Sequence, residues 1–307
     1  MAIAVTRESG VDISGPWRVW EDPCQLDLLD GSWFLVARRG TQVVGTWLVP
    51  IEPTPVGPVA RREIRLLPYA SPRLLEADPR RRRDVCGAMF AWLQNETVGV
   101  ELPFPPDFHD LGAVSEHGGF VESRMTHVVD DVETFLRTQS RRCKNEISAA
   151  RRQTTVSTHK DLARFDFDSA IVSTLASHRQ RRAALAEALG QRGSCLVVEA
   201  GVSGKVVGQA VVARSGSYAL VMHSWHDRGC GIRGIPTLLI HEIVMAELAR
   251  PDTTVVDLEG SVLATVDYFM DGTGASPVPH ALVYWYSDRG TLLQRLQMSL
   301  DIPGRQR

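Results

Sequence analysis

Two stretches of this chain carry the same landmarks in the same order. Residues 31–36 read Gly-Ser-Trp-Phe-Leu-Val and are followed by Val-Val-Gly at 43–45; residues 193–198 read Gly-Ser-Cys-Leu-Val-Val and are followed by Val-Val-Gly at 206–208. A long internal repeat predicts two similar halves. The chain has 307 residues, enough for two domains of about 150 residues each. We therefore predict two similar domains with a cleft between them, where substrates would bind.

Both halves are predicted to follow the order strand, strand, helix, strand, helix, strand, with one more strand in the second half. In the first half these elements span residues 32–38, 41–49, 79–96, 98–102, 107–117 and 120–129. In the second half they span residues 195–200, 205–213, 218–225, 235–249, 254–258, 262–270 and 278–286. Helices are also predicted at 132–153, 169–189 and 289–300.

This order predicts an α/β (α+β) fold, in which each domain has a mixed, mostly antiparallel sheet flanked by helices. The predicted divisions are the first domain, linking helices that belong to the second domain, the core of the second domain, and a C-terminal helix with its tail. Their bounds are residues 1–130, 131–190, 191–287 and 288–307.

The composition is that of an ordinary globular protein, with 44% hydrophobic and 23% charged residues. No apolar run approaches the roughly 20 residues of a bilayer span, and the N-terminus lacks the pattern of a signal peptide, so we expect a cytoplasmic protein. The five cysteines are scattered and form no CxxC pair, so we predict neither a metal site nor a disulfide framework.

Charge is unevenly distributed along the chain. The net charge is −2, yet residues 137–192 hold 12 Lys and Arg against 5 acidic residues, which leaves −9 for the rest. Such asymmetry indicates either a surface for a polyanion or a pair of solvated helix faces. A second basic run, residues 80–83, stands at the start of a predicted helix, where it opposes the helix dipole.

A glycine-rich loop at residues 227–234 joins a predicted strand to a predicted helix, a place where free backbone amides bind anions. Gly229, Gly231 and Gly234 match GxGxxG, but a hairpin precedes the loop, which disfavours a dinucleotide fold. The arrangement resembles the GNAT acyltransferase core, whose loop Arg/Gln-x-x-Gly-x-Gly/Ala binds the coenzyme A pyrophosphate. Here Gly231 replaces the Arg/Gln and Pro236 the final Gly/Ala. Gly231 has no side-chain donor and Pro236 no amide, so the coenzyme A site is altered.

Tandem GNAT-like halves with an altered coenzyme site resemble the Fem-type peptidyltransferases, which transfer an aminoacyl group from aminoacyl-tRNA to an amine. Four stretches are similar to motifs of that family, and the resemblance covers roughly residues 15–290. They are residues 141–150, 235–243, 257–261 (Asp-Leu-Glu-Gly-Ser) and 269–274 (Phe-Met-Asp-Gly-Thr-Gly). Met270 stands where the family has a cation, and the long helical hairpin of some members is absent. The acceptor implied by the resemblance is therefore a small peptide, a natural-product intermediate or a cell-wall precursor.

This interpretation leads to four candidate catalytic residues. Asp257 and Glu259 lie two apart on a predicted strand and so share a face, where one of them receives the amine proton or binds the ammonium group. Alternatively, Asp257 caps the next helix and Glu259 is solvated. His223 is expected beside the reacting carbonyl, or is a satisfied histidine in the core. Tyr268 is expected either to donate to the oxyanion or to pack in the core.

Candidate substrate-binding residues are Trp225, Ser261, Arg179, His178, Tyr69 and Gly234. Two of them have a structural alternative, because Trp225 can be a packed core residue and Ser261 a helix N-cap. The tRNA-binding candidates are Arg141, Arg142, Lys144, Arg151, Arg152 and Arg182. On a helix, the five between 141 and 152 cluster on about one side, where they would make sequence-independent phosphate contacts.

The sequence therefore predicts an aminoacyl-tRNA-dependent aminoacyltransferase that forms an amide bond and uses no cofactor besides its tRNA co-substrate. We expect no contact with DNA and no membrane span. One alternative is an acyl-CoA-dependent GNAT N-acyltransferase, which would use a coenzyme A thioester. Another is a tRNA-binding or peptide-binding module without activity.

Overall fold

The computed structural model describes residues 2–9, 20–21, 31–61, 69–166, 169, 195–259 and 264–291. The chain divides into two compact units. Unit 1 comprises Met1–Gly15, Trp20–Arg124 and Pro279–Arg307, and unit 2 comprises Pro16–Val19 and Met125–Val278. None of the helices in the described ranges is long and apolar enough to cross a membrane.

In its described residues, unit 1 contains a four-stranded sheet, a second group of paired strands and two helices. Its strands are β1 (Ile3–Glu8), β2 (Trp33–Arg39), β3 (Gln42–Val49), β4 (Ile51–Glu52), β5 (Val59–Arg61), β6 (Arg73–Leu74) and β7 (Gly99–Phe104), and its helices are α1 (Pro79–Glu96) and α2 (Leu111–Glu116). Strands β1, β2, β3 and β6 form an antiparallel sheet in that order. In the second group β4 pairs with β5, and β5 runs parallel to β7. The predicted hairpin and first helix are thus confirmed.

The basic run at residues 80–83 lies in the first turn of α1. Asp78 caps this helix by accepting a hydrogen bond from the Arg81 amide, and Pro79 occupies the first turn without losing an amide bond. Arg82 and Arg83 form ion pairs with Asp110 and Glu116. Half of the run is therefore engaged within unit 1 rather than available to a polyanion.

Unit 2 contains one sheet flanked by helices. Its elements are α3 (Val132–Thr138), α4 (Arg141–Gln153), β9 (Thr155–His159), β10 (Cys195–Val202), β11 (Lys205–Ser215), β12 (Tyr218–His226), α5 (Ile235–Leu248), β13 (Val255–Asp257) and α6 (Ala264–Thr273). Strands β9 to β12 are antiparallel neighbours, whereas β12 runs parallel to β13. Apolar residues of α5 (Ile235, Leu239, Ile243 and Val244) pack in the core with β-strand residues such as Val212 and Val256.

The strand that closes each sequence copy pairs outside that copy. The strands concerned are β8 (Phe120–Val129) and β14 (Ser276–Tyr286). In unit 2, Val128 and Val129 of β8 are antiparallel to β13. In unit 1, the end of β14 from Ala281 is antiparallel to β7. The two copies therefore exchange their last strands.

The predicted helix at 132–153 is wrong in one respect, because the structure has two helices there. Ser140 interrupts the run: its side chain caps α4 by accepting a hydrogen bond from the Cys143 amide, and its backbone amide donates to the Gly272 carbonyl. The predicted helix at 169–189 and most of the one at 289–300 lie outside the described residues.

Candidate functional site

The sheet of unit 2 opens between β12 and β13. The two strands pair only from Tyr218 to Leu220, opposite Val255 to Asp257, whereas β12 continues to His226. An extra residue, Met222, stands in β12 without a partner in the β11 register. Such a bulge reverses the side to which the following residues point. His223 therefore faces the same side of the sheet as Asp257, which strict alternation from Leu220 would not give.

Asp257 lies at the base of this opening and is fully buried, with 0% exposure. One carboxylate oxygen accepts hydrogen bonds from Thr126 Oγ1 at 2.7 Å and from the Glu259 amide at 2.8 Å. The Tyr218 hydroxyl donates to the other oxygen. Both oxygens of this buried carboxyl group therefore have hydrogen-bond partners. Asp257 thus links β8, β12 and the turn that follows β13.

Glu259 does not share a strand face with Asp257, so that prediction was wrong. Strand β13 ends at Asp257, and Glu259 follows in a left-handed conformation with φ of 62°. The cause is the Asp257 side chain, which binds the Glu259 amide and turns the chain out of the strand. Glu259 is half-buried.

Trp225 lies on the same side of β12 as His223 and is fixed by a hydrogen bond. Its indole Nε1 donates to Gln209 Oε1 at 3.1 Å. The buried Gln209 amide in turn donates to Glu199 Oε2 at 2.8 Å and to the Arg164 carbonyl at 2.6 Å. This network supports the alternative in which Trp225 is a packed residue that shapes the site.

The start of α5 is closed by α4. Gly234, predicted to bind substrate, has φ of 89°, and a Cβ atom there would lie 2.5 Å from the Glu146 carbonyl oxygen. The Glu146 carboxylate accepts hydrogen bonds from Thr237 Oγ1 at 2.9 Å and from Arg142 Nε at 2.9 Å. Arg233 Nε completes the set at 3.2 Å. The absence of a side chain at Gly234 therefore allows α4 to pack closely against the start of α5.

Several predicted residues fall elsewhere. Tyr69 is buried in unit 1, where its ring packs edge-on against Trp20 and His280 at centroid distances of 5.1 and 5.6 Å. Tyr268 lies in α6, but its side chain is outside the described part of the chain. The other candidates outside the described residues are Ser261, His178, Arg179 and Arg182.

The basic face predicted for tRNA lies on α4 and is exposed. Two of its cations are paired within unit 2: Arg142 with Glu146, and Arg151 with Glu242. Arg141 and Arg152 contact no carboxylate in the described ranges, and Lys144 reaches only the Arg137 carbonyl, at 3.5 Å. Among the described residues, Arg141, Lys144 and Arg152 are thus exposed cations that form no ion pair.

Sequence reasoning missed Thr126 and Tyr218, which belong to the site through Asp257. Thr126 comes from β8, far from Asp257 in sequence, and the exchange of closing strands brings the two together. Tyr218 starts a strand that was predicted, yet nothing in the sequence marked its hydroxyl. Polarity did not single them out either, because both strands carry several other polar residues.

The sequence matches no protein-family model, and no curated protein is similar to it. Solved structures do match over nearly the whole chain. FemX superposes with a TM-score of 0.59 and 11% identity, covering 88% of this chain and 90% of its own. L-PGS from Bacillus licheniformis gives 0.57 and 10%, with 90% of both chains covered. A tandem GNAT protein from the clavulanic acid biosynthesis pathway gives 0.53 and 14%, covering 90% of this chain and 91% of its own.

At such identities the comparisons define the fold alone. They confirm the predicted α/β class with tandem GNAT-like architecture.

Proposed function

We propose that the protein transfers an aminoacyl group from aminoacyl-tRNA to the amine of a small peptide, a natural-product intermediate or a cell-wall precursor. One observation carries the proposal: the start of α5 offers a diphosphate neither a side-chain donor at Gly231 nor an amide at Pro236. A GNAT-like domain with these two changes favours an acyl donor that is bound through contacts other than those to a diphosphate. The likeness in fold to FemX and L-PGS supports the same choice.

The reaction forms one bond and breaks one. The neutral amine attacks the ester carbonyl, a C–N bond forms, and the bond from that carbonyl to the ribose oxygen breaks. A proton leaves the amine and reaches the departing oxygen. We assign proton acceptance or ammonium binding to Glu259, and contact with the reacting carbonyl to His223, beside the opening between β12 and β13. Asp257, being buried, positions Tyr218 and Thr126 for this site.

The proposal is tested by offering wild-type protein two donors with a panel of small amines and peptides. Radiolabelled amino acids on charged tRNA are one donor, and acetyl-CoA is the other. We expect amide product from charged tRNA that ribonuclease abolishes, and no acetyl-CoA turnover. Turnover of acetyl-CoA that resists ribonuclease would instead establish the N-acyltransferase alternative, and tRNA binding without any product would favour a binding module.

Neutralising two exposed cations of α4 should weaken tRNA binding. With Arg141→Gln and Arg152→Gln combined, we expect lower affinity for every tRNA and a salt dependence whose log–log slope falls by about 1 for each lost phosphate contact. Binding is measured by filter retention at several salt concentrations. Arg83→Gln in unit 1 is the matched control, since it removes one exposed but paired cation. An unchanged slope in the double variant would remove α4 from the tRNA interface.

A further inference from the structure

The start of α5 already holds an anion that belongs to the chain itself. The Glu146 carboxylate, with a side-chain exposure of 12%, receives hydrogen bonds from the first turn of α5 through Thr237 and from two guanidinium groups. Those groups are Arg142 on α4 and Arg233 in the loop before α5. Hydroxyl and guanidinium donors around a helix start are what a phosphate would use.

Glu146 is held as a carboxylate. Burial alone would raise the pKa of this residue, but hydrogen bonds from Arg142, Thr237 and Arg233 outweigh it and keep the pKa below its ordinary value. A negative charge is also favoured near the positive end of a helix. A second anion arriving at the same place would meet both repulsion from Glu146 and donors that are already engaged.

The backbone fixes the position of Glu146 at the start of α5. The main chain of α4 lies so close to Gly234 that even a Cβ atom would collide with the Glu146 carbonyl oxygen. The apolar residues Cys143, Ile147 and Ala150 of α4 pack with Leu238 of α5 and hold the two helices in this position. The carboxylate is therefore fixed in place by the packing of α4.

We propose that Glu146 is a donor-specificity residue that excludes diphosphate-bearing donors, the acyl-CoA class, from the start of α5. The inference deepens the proposed function and rests on it for its meaning, since it explains how a GNAT-like unit turns away the coenzyme. Removing the carboxylate should release the hydrogen bonds that Thr237, Arg142 and Arg233 donate to it, so that these donors can turn to phosphate oxygens.

The test measures binding of free coenzyme A and of inorganic pyrophosphate to the full chain by titration calorimetry. We expect no detectable binding by wild type. For Glu146→Ala we expect a dissociation constant about tenfold or more below the weakest that the titration can detect, because a repulsive charge is lost and three hydrogen-bond donors lose the carboxylate that accepted from them. Glu146→Gln keeps the shape and removes only the charge, so it should gain in the same direction. Adding Arg142→Ala to Glu146→Ala should reverse the gain.

The matched control is Glu242→Gln, which removes one carboxylate from α5 further along the helix, where it pairs with Arg151. It should bind as wild type does. Coenzyme A binding by wild type equal to that of Glu146→Ala would overturn the inference, as would an equal gain in Glu242→Gln, or no gain in a folded Glu146→Gln. Because the readout is binding, these failures are distinct from a failure of aminoacyl transfer from tRNA.

Discussion

Replacing Asp257 with alanine should lower the free energy of unfolding of unit 2 by about 3–5 kcal/mol, because at least three buried or half-buried donors lose their acceptor. These are the Thr126 and Tyr218 hydroxyls and the Glu259 amide. Each unsatisfied buried group costs about 1–3 kcal/mol, and rotation of the hydroxyls recovers part of that. Urea unfolding followed by circular dichroism measures the change.

Thr126→Val is the graded control for Asp257→Ala. It removes one donor and leaves the carboxylate satisfied by the others, so we expect a loss of only about 1 kcal/mol. Asp257→Asn keeps one acceptor oxygen and should fall between the two. A loss below about 1 kcal/mol in Asp257→Ala would show that Asp257 does not hold the base of the opening together.

Replacing Glu247 with alanine should be about as costly, at about 3–5 kcal/mol, because it leaves a guanidinium buried without its partner. Glu247 lies on α5 with 0% side-chain exposure, and Arg214 Nε of β11 contacts it at 2.7 Å. An arginine side chain stays protonated in proteins, so in this variant Arg214 cannot escape the penalty by losing its proton. Thermal and urea unfolding measure the effect.

Two variants separate the buried charge from the loss of an ion pair as such. Glu116→Ala breaks the exposed pair with Arg83 and should change stability by less than about 1 kcal/mol. The double variant Arg214→Met/Glu247→Leu removes both charges and should recover most of the loss. Equal losses in the double variant and in Glu247→Ala would point to packing rather than charge.

The sequence predicted many of the elements but few of the pairings between distant ones; β1 and β9 were among the strands that it did not predict. Periodic apolar residues and a repeated order of landmarks predicted α1, α5 and the hairpins, because local spacing determines which faces can be buried. The pairing of β8 with β13 depends on contacts between distant residues, which no local pattern records. The short strands β4, β5 and β6 also escaped, since two or three residues show no period.

The candidate site was predicted only in part, because contacts between residues distant in sequence bring some of its members together. Asp257 and His223 were identified by their place in the chain, and the structure puts both on one side of the sheet. Glu259 was misplaced because a side-chain hydrogen bond, rather than strand alternation, sets its backbone. The sequence did not single out Glu146, since its partners Thr237 and Arg233 lie some 90 residues away.

The exchanged strands set the order in which this protein can be assembled during synthesis. Unit 1 receives Ala281 to Tyr286 as the neighbours of β7, so β7 leaves the ribosome nearly 180 residues before its partner does. Contacts so far apart in sequence close slowly, and an unpaired strand edge is prone to wrong association. That edge of β7 remains without its partner strand until translation is almost finished. Cutting the gene at the repeat boundary would separate both units from a strand they need.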